Sequence, residues 1–428
     1  MSFHPQSLAV RTPAGPFPLL LALLLAVGCL TAVLPAVAVA AEAAPVAIGP
    51  YDAAVVYPAG SLAIGPDGNT YRASKEVKGV DPTQANADSW HLAHVSNEVI
   101  LDVPGRFKTI SEAMAFLAGC RIAETAKAVV LVAPGKLEHE APLVLNHAEG
   151  ARIVIRGAGE KPDECQLVFD GSNGVEINGG GEIHLENVVI VSKADDKGTG
   201  LFLEHGSAIQ IRDCDIVDFA YAVFVNDGSR LRAIGCDFVS KGTKDAVNVR
   251  SNSHAILIEC EAKKTTRDGG HNGFITFNGG AIECFGCRAE NWYSGFSAHS
   301  SGTMYLEKCV GRSNNHGASA WAASSLMAVD CTFASNKESG IAAFSSAAEV
   351  MGCTLTANTS GVVANGMATV NFAGRPTRIT DCKIGFFSHF GGRARVMAVP
   401  VYKNVDRDVA VGVEPGNLTK EEAILRVE

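Results

Sequence analysis

Short runs in which apolar and polar residues alternate recur throughout the second half of the chain. Four of them share one shape and begin at a Gly: "GFSAH" at Gly295, "GASAW" at Gly317, "GIAAF" at Gly340 and "GVVAN" at Gly361. Alternation with a period of two predicts β-strands, because successive side chains of a strand point to opposite faces. The segments between the runs are too short for a crossover helix, so the pattern predicts strands joined by turns.

Eight cysteines repeat with the same period as the strands. They are Cys214, Cys236, Cys260, Cys287, Cys309, Cys331, Cys353 and Cys382. The successive spacings are 22, 24, 27, 22, 22, 22 and 29 residues. A repeat of this length is typical of stacked structural repeats. Because no helix fits between the strands, the sequence predicts an all-β fold, a parallel β-solenoid of roughly ten or more turns from about Val129 to about Val399.

The repeating cysteines are expected to point inward at one equivalent position of each turn. Stacked neighbours would fall within disulfide reach by Cα distance, but free Cys packs like a small hydrophobe, so we predict buried and mostly unbridged thiols. Cys284 and Cys287 form a C-x-x-C pair whose second member already belongs to the repeat. We therefore predict no metal site and no cofactor, and a requirement for Ca²⁺ is left open without a motif to support it.

The alternation also predicts which residues face outward. With the Gly or Ala of each turn as position 0, positions +1 and +3 are apolar or small and face inward, and positions +2 and +4 face outward. The +4 row reads Asn178, Glu204, Asn226, Arg250, Phe277, His299, Trp321, Phe344, Asn365, His389. The +2 row reads Glu176, Phe202, Phe224, Asn248, Ile275, Ser297, Ser319, Ala342, Val363, Phe387. Rings mixed with Arg, Asn and His suit a polysaccharide groove, although a loop or partner that covers the rings is an alternative.

Polar residues, many of them basic, cluster in the loops beside the middle of this face. They are Lys241, Lys244, Asp245, Lys263, Lys264, Arg267, His271, Tyr293, Asn315 and His316. The whole chain has a net charge of −9, which argues against nucleic-acid binding, so the cluster is a local reversal of charge. It predicts an anionic partner such as a polyuronate, and a solvated run of loop charges is the alternative.

Upstream of the strands, "FKTISEAMAFLAG" reads as a helix that caps the solenoid. Thr109 and Glu112 form a T-x-x-E capping box, and Ile110, Ala113, Met114 and Leu117 share one face. "GRFKTISEAMAFL" followed by "VVLVAPGKLEHE" resembles the opening of pectin-lyase-like right-handed β-helix proteins, in which a short helix closes the first turn. The resemblance covers about Leu101 to Val399 and implies a right-handed parallel β-helix. It constrains function weakly, because the superfamily holds lyases, hydrolases, esterases, epimerases and phage tail proteins.

The segment "GFSAH" also resembles the "Y-G-F-D-P-H" segment of mannuronan C5-epimerases. Gly295, Phe296 and His299 match, Ser297 stands where that family has Asp, and Tyr293 is displaced by one residue. A lyase or a C5-epimerase removes the proton next to a carboxylate, which requires a cation on the carboxylate and a base and an acid at one carbon. The candidate catalytic residues are His299, Tyr293, Arg250, His316 and Arg267, and the candidate substrate-binding residues are Asn248, Phe277, Trp321, Lys244, Asp245, His271 and Phe344.

Two other functions remain open from the residues alone. A glycoside hydrolase needs two facing carboxylates, and Asp245 and Asp268 on adjacent turns are the evident pair. A cell-surface or spike-like solenoid that binds polysaccharide without catalysis would also suit strands of low charge and many small residues. An open cleft where Tyr293 and His299 converge favours an enzyme, and a flat or plugged face favours a scaffold.

Residues 42–95 are predicted to form a small β module before the helix. The spacing of Tyr51, Tyr71, Pro82 and Trp90 resembles the chitin-binding type of carbohydrate-binding family 5/12. That family presents adjacent exposed aromatics where this chain has Ser74 to Val77. The alternative is a structural module in which Tyr71 and Trp90 form the core.

The two ends of the chain are predicted to lie outside the solenoid, which spans about residues 98–400. Residues 1–41 have the shape of a secretory signal, with one basic residue, an apolar run and Ala38, Ala40 and Ala41 near the cleavage site. Export to the periplasm, cell surface or medium follows, with no stable membrane span after cleavage. An uncleaved anchor and a lipoprotein at Cys29 are the alternatives. Residues 401–428 are expected to end in a helix capped by Thr419 and Glu422.

Overall fold

The computed structural model describes residues 48–85, 88–171, 173–194, 197–240, 244–265, 270–412 and 424–427, with side chains described as far as residue 409. The signal segment predicted for residues 1–41 therefore lies outside the described residues. The described helical segments are the α-helix Ile110–Leu117 and the 3-10 turns Gly150–Arg152 and Pro162–Glu164. None of the helices described is long and apolar enough to span a bilayer.

Three long parallel sheets form a β-solenoid, which confirms the fold predicted from the repeat. Sheet 1 has 12 strands: Leu143–Leu145, Val175–Asn178, Lys197–Glu204, Phe219–Val225, Val247–Val249, Asn272–Thr276, Ser294–His299, His316–Trp321, Ser339–Phe344, Ser360–Asn365, Ile384–His389 and Arg407–Gly412. Sheet 2 has 14 strands: Val99–Val103, Ala128–Val132, Ile153–Gly157, Ile183–Glu186, Ala208–Arg212, Arg230–Ile234, His254–Ile258, Ala281–Phe285, Thr303–Glu307, Ser325–Val329, Ala347–Met351, Thr369–Phe372, Arg393–Val396 and Ile424–Val427. Sheet 3 has 12 strands: Gly135–His139, Cys165–Phe169, Val189–Ser192, Asp215–Val217, Asp237–Ser240, Glu261–Lys264, Arg288–Glu290, Val310–Arg312, Thr332–Ala334, Thr354–Thr356, Arg378–Thr380 and Val401–Lys403.

The solenoid continues past the predicted end near residue 400. Val401–Lys403 and Arg407–Gly412 add strands to sheets 3 and 1. Most of the helix predicted after Thr419 lies outside the described residues, but Ile424–Val427, its last turn in that prediction, is a strand beside Arg393–Val396. The prediction was wrong there because the open edge of sheet 2 offers backbone hydrogen bonds to any extended segment, and local capping propensity does not compete with them.

The cysteines occupy the corner between sheets 2 and 3, as predicted. All eight members of the repeat are buried and unbridged. The Sγ atoms donate hydrogen bonds to the carbonyl two residues earlier, as in Cys236 to Ile234 (3.4 Å) and Cys331 to Val329 (3.3 Å). Burial raises the pKa of the Cys236 and Cys309 thiols, so they remain protonated. The ladder therefore acts as small apolar packing with a weak hydrogen bond at each rung.

A second ladder, of asparagines, lines the corner between sheets 3 and 1. The side-chain oxygen of Asn336 accepts from the backbone N–H of Asn314 (3.1 Å), and that of Asn358 accepts from Asn336 (2.9 Å). The amide groups in turn donate to carbonyls of earlier turns, as in Asn314 to Ala289 (3.1 Å). These side chains satisfy backbone groups that the turn leaves unpaired in the interior.

The module before the helix consists of two small sheets, one of two strands and one of four, whose strands pair in antiparallel fashion except at the last pair. Its strands are Val56–Tyr57, Leu62–Ile64, Thr70–Ala73, Val77–Lys78 and Trp90–Val95, and Arg121–Ile122 pairs with the last of them in parallel. Tyr71 and Trp90 are fully buried, and the Trp90 indole donates to Val80 O (3.0 Å). Both rings form core, so neither is available to stack on a sugar.

The helix Ile110–Leu117 has the Thr109 half of the predicted capping box, and Glu112 reaches back to Lys108, one residue before the N-cap. Glu112 N–H donates to Thr109 Oγ1 (3.1 Å), and Lys108 N–H donates to Glu112 Oε2 (2.8 Å). The predicted apolar face is buried, together with Phe116. The helix therefore packs its apolar side against the first turns, as a cap of the solenoid does.

Candidate functional site

The register of sheet 1 places four rings in one row on its outer face, which we call the aromatic row: Phe277, His299, Trp321 and Phe344. Ring centroids are 5.0 Å apart between Phe277 and His299, 5.7 Å between His299 and Trp321, and 3.7 Å between Trp321 and Phe344. All four side chains are half-buried. His299 thus has the neighbours that the sequence predicts, and its chemical role stays a prediction.

Arg250 continues the row on the turn before Phe277. Its guanidinium carbon lies 4.5 Å from the Phe224 ring centroid and 5.6 Å from that of Phe277. Its Nε donates to Asn248 Oδ1 (3.1 Å), and Asn248 Nδ2 donates to Asp245 Oδ2 (2.8 Å). No carboxylate within the described part of the chain forms an ion pair with it. Arg250 is therefore a fixed cation that keeps part of its hydrogen-bonding capacity.

The Asp245 carboxylate fixes the position of Asn248, which in turn bonds to Arg250. It is buried, and its Oδ1 accepts from the backbone N–H (2.9 Å) and the side-chain amide (3.0 Å) of Asn272 on the next turn. Each oxygen is thus hydrogen-bonded, as a buried carboxylate requires. The bonds through Asn248 fix the orientation of Arg250, and this positions the cation on the face.

Burial lowers the pKa of His299, and the nearby Asp245 carboxylate opposes that shift. The net direction is downward, so the imidazole is neutral near pH 7. A neutral imidazole can accept a proton.

His316 does not lie in a loop beside the face, as the sequence predicted, but is the first residue of the strand His316–Trp321. The side chain is 2% exposed and packs beneath the row, with centroid distances of 6.2 Å to Trp321 and 5.8 Å to Phe344. Its Nδ1 shares a hydrogen bond with Ser339 Oγ (2.8 Å), and Nε2 lies 3.3 Å from Glu338 Oε2 without hydrogen-bond alignment. Burial lowers the pKa of His316 to about 4.

Tyr293 packs against His316, the buried histidine beneath the row. The two ring centroids are 5.3 Å apart, with the planes nearly perpendicular. Burial raises the pKa of Tyr293, and the Glu338 carboxylate adds to the shift, so the phenol is protonated over the neutral range. Tyr293 therefore contacts the buried histidine, and its phenol keeps its proton in the neutral range.

The middle of the +2 row is covered, contrary to the prediction that it would be open. Ser297 and Ser319 are fully buried, and their hydroxyls are 2.8 Å apart. Ser319 Oγ donates to Ser294 Oγ (2.8 Å) and accepts from Trp321 Nε1 (2.9 Å). The Trp321 indole folds across these hydroxyls because its N–H finds a partner there. Asn248 and Ile275 of the same row are buried as well.

The other predicted site residues differ in position. Lys244 is exposed, and His271 is half-buried with its carbonyl accepting from Tyr293 N–H (2.8 Å). Arg267 lies outside the described residues, as do Lys241 and Asp268, so the predicted hydrolase pair is not described. Lys264, predicted as part of the basic cluster, is 1% exposed with Nζ 5.4 Å from the Trp292 ring centroid. That prediction was wrong because Lys264 falls on an inward position of its strand.

The sequence analysis missed the row that precedes position 0. It consists of Asp245, Asn272, Ser294, His316, Ser339 and Ser360. All six side chains are buried or half-buried, and all but Ser360 take part in the hydrogen bonds of this face. The signal was present in the sequence, because a polar residue stands before position 0 in six successive turns. No group of three or more potential metal ligands occurs in the residues that the structure describes.

The comparisons with known proteins agree with the fold. The family model "Right handed beta helix region" matches residues 151–310 and 245–385, which together span more than half of the chain. The A-module of mannuronan C-5 epimerase AlgE4 from Azotobacter vinelandii is similar in structure, with a TM-score of 0.53 and 11% identity, covering 70% of this chain and 91% of the module. No curated protein matches this chain in sequence.

Two further solved structures share the fold more loosely. The catalytic domain of a GH87 α-1,3-glucanase in complex with tetrasaccharides has a TM-score of 0.47 and 12% identity, covering 82% of this chain and 71% of that domain. The pectate lyase Pel9A has a TM-score of 0.39 and 13% identity, covering 81% and 82%. At such identities the likeness concerns the fold alone. On the family model and the three-sheet coil, the chain belongs to the right-handed β-helix family.

Proposed function

We propose that the aromatic row binds a uronate-containing polysaccharide and that His299 takes the C5 proton of one uronate, as a lyase or an epimerase does. The observation that carries the proposal is the position of His299. A neutral imidazole is held between two rings, with a fixed arginine two turns away along the same row.

The row supplies the contacts that a sugar chain needs. The rings stack on one another along the row, so a bound sugar chain would lie across their exposed edges, and the polar groups of the row would set its orientation. Arg250 and His299 are separated by two strand spacings, which is roughly 10 Å. Arg250 is therefore suited to the carboxylate of a sugar that neighbours the one at His299. The similarity in fold to an epimerase of mannuronan supports a uronate as the substrate class.

The proposed step moves one proton and one electron pair. The C5–H bond breaks, its proton goes to a ring nitrogen of His299, and its electrons pass into the carboxylate as an enolate. In a lyase those electrons then expel the C4 oxygen, which takes a proton from an acid. In an epimerase the carbon is reprotonated from the opposite face. Tyr293 is the proposed acid, because its phenol keeps its proton in the neutral range and it packs on His316, which lies beneath the row.

The proposal extends to the setting of the reaction. The apolar run near the N-terminus supports export of the chain, which would bring it to polysaccharide outside the cytoplasm. His316 is proposed to act by packing behind Tyr293, since its burial keeps it away from a bound sugar.

Proton exchange at C5 tests the proposal without assuming lyase or epimerase. The full chain is incubated in deuterated buffer with alginate, pectate or a glycosaminoglycan, and NMR measures deuterium at C5 and any change of configuration. Absorbance measures unsaturated ends. His299→Ala should lower the rate by on the order of 100-fold or more, as loss of a general base does.

His205→Asn is the matched control. His205 is an exposed histidine at a turn with φ 57°, and Asn tolerates that conformation. The control should exchange C5–H at the wild-type rate. Exchange that persists unchanged in His299→Ala would refute the assignment of the base.

A polysaccharide-binding scaffold without catalysis is the second candidate. Two contacts favour it, because each engages a polar group within the protein. Trp321 covers the Ser319 hydroxyl, and the Tyr293 ring packs on His316. On this view, uronate chains bind, with affinity lost in Trp321→Ala, and no deuterium enters C5. The exchange and binding measurements together separate the two functions.

A further inference from the structure

The outer face of sheet 2 carries an apolar patch that the proposed function does not use. It spans six neighbouring strands, from Arg230–Ile234 to Ala347–Met351. The patch consists of Ile234, Ile256, Ile258, Phe285, Tyr305, Met327, Val329 and Met351, each of which keeps part of its side chain exposed. A contiguous apolar area on a sheet face usually marks a contact with another molecule.

One column of the patch ends in opposite charges. The register aligns six outward residues along the coil, which we call the central column: Arg232, Ile256, Glu283, Tyr305, Met327 and Glu349. Glu283 lies 3.0 Å from His254 Nε2 on the preceding turn. Within the described residues, Arg232 and Glu349 make no ion pair. The column therefore has a free cation at one end and a free anion at the other.

The central column complements its own reverse. When two copies face each other with their columns running in opposite directions, Arg232 of one copy lies opposite Glu349 of the other. Ile256 then lies opposite Met327, and Glu283 lies opposite Tyr305. These are an ion pair, an apolar contact and a carboxylate facing a phenol. A two-fold axis that lies in the interface along the strand direction brings about this pairing.

The column beside it follows the same rule. Reversed against itself, it sets Ile234 opposite Met351, and Ile258 opposite Val329. Between these apolar pairs Phe285 faces Glu307, and the positive edge of the ring suits a carboxylate. Along the other margin the outward residues are small at Ala281, Thr303, Ser325 and Ala347, so two such faces can approach closely.

We infer that the chain forms a two-fold symmetric dimer in which sheet 2 of one copy packs on sheet 2 of the other, with the two coils antiparallel. Six strands of five residues give a flat footprint of roughly 500 Å² per copy. Stable interfaces bury about 800 Å² per partner, so the dimer should be weak, with a dissociation constant in the micromolar range.

A charge swap tests the dimer, because symmetry makes both partners of the ion pair available in one chain. Sedimentation velocity of the full chain over micromolar concentrations gives the dissociation constant. Arg232→Glu and Glu349→Arg should each raise it at least tenfold, since each places like charges opposite one another twice in the dimer. The double variant R232E/E349R should restore it to within about threefold of wild type.

Arg393→Glu is the matched control. It makes the same charge change on an exposed residue of sheet 2, two turns beyond the footprint, and should leave the dissociation constant unchanged. If the chains associated through the apolar N-terminal run instead, the dissociation constant would be the same in all variants. A chain that stays monomeric at every concentration, or a double variant no better than the singles, would overturn the inference.

Discussion

The cysteine ladder and the aromatic row both place one residue on each turn, and they differ in almost everything else. The ladder repeats one residue eight times, and every copy is buried with its thiol bonded locally. The row changes residue at each turn, from Arg250 through Phe277, His299 and Trp321 to Phe344, and its members are half-buried. Uniformity is what stacking in an interior requires, because each rung meets the same neighbours.

The variety of the row therefore points to something outside the chain. The members of the row pack on one another, but over five turns no residue except Phe recurs, so repeated identical stacking does not account for it. It suits a ligand whose successive units present different groups. Arg250 is held by Asn248 and His299 by the flanking rings, so each has a defined place. The predictions below test whether stability belongs to the interior and ligand chemistry to the row.

The largest effect is expected where the interior sets the spacing of the strands that carry the row. A Cβ at Gly317 would lie 2.6 Å from Gly340 O and 2.7 Å from Phe333 Cβ. Gly317→Val should lower the free energy of unfolding by about 3 kcal/mol or more, because neither neighbour can move without shifting its turn. Urea denaturation followed by circular dichroism measures the loss. Gly206→Asn is the control, since Gly206 has φ 69° and open space around it, and it should change stability little.

The fold was predictable because its signal is repeated. The strands that begin with Gly and the eight cysteines each show the repeat length independently, so a wrong boundary in one turn is detected from the other turns. The registers of the +4 row follow from the same counting and are those of the structure. The chain end at Ile424–Val427 was not predictable, because its short segment pairs only through the edge of sheet 2.

The second effect concerns His316, which lies between the interior and the row. Its pKa is lowered to about 4 in the folded protein, against an ordinary value of 6.5, so the unfolded chain binds the proton more tightly. The contribution of neutral His316 to the free energy of unfolding is therefore complete above about pH 6.5 and is lost as the pH falls toward 4. At 1.36 kcal/mol for each pKa unit, the loss is up to about 3 kcal/mol.

Equilibrium unfolding at pH 7 and pH 4 in wild type and His316→Gln measures this contribution. The free energy of unfolding of the variant should change less between pH 7 and pH 4 than that of wild type, whatever its value at either pH. The nearby Glu338 carboxylate offsets part of the cost when His316 is protonated. An equal pH dependence in both proteins would show that other groups cause it.

The candidate site was only partly predictable, for a physical reason. Period-two alternation gives the face of a strand, but it does not say how far a large side chain reaches across that face. Trp321 covers Ser319, so residues assigned to the surface became buried. His316 was assigned to a loop, but it begins the strand His316–Trp321 and its ring packs under Trp321 and Phe344, a contact that the hydrophobic pattern does not reveal. The side-chain rotamer of a tryptophan depends on partners from other turns.

The third effect is expected at Arg250. If the row binds uronates, Arg250→Ala should weaken binding of alginate or pectate by roughly tenfold, about 1.4 kcal/mol, with folding intact. The loss should shrink at high salt, because ions screen the attraction that the variant lacks. Isothermal titration at low and high salt measures both quantities. Arg156→Ala is a control, since its guanidinium pairs with Glu186 on sheet 2 and lies away from the row. A loss that is the same at both salt concentrations would assign Arg250 a packing role.

The smallest effect is expected at a single rung of the cysteine ladder. Cys331 donates to Val329 O at 3.3 Å, and a serine hydroxyl can donate to the same carbonyl. Cys331→Ser should therefore cost about 1 kcal/mol or less in the free energy of unfolding, since only the apolar contact of the sulfur is lost. Alkylation of the denatured, non-reduced wild-type protein followed by mass spectrometry should find the thiols from Cys214 to Cys382 free. If bridges were present, removing Cys331 would also open a covalent link and cost about 2 kcal/mol or more. A cost in that range together with missing thiols would mean that the ladder is a covalent staple, and the contrast between a uniform packed interior and a varied outer row would then need a different cause.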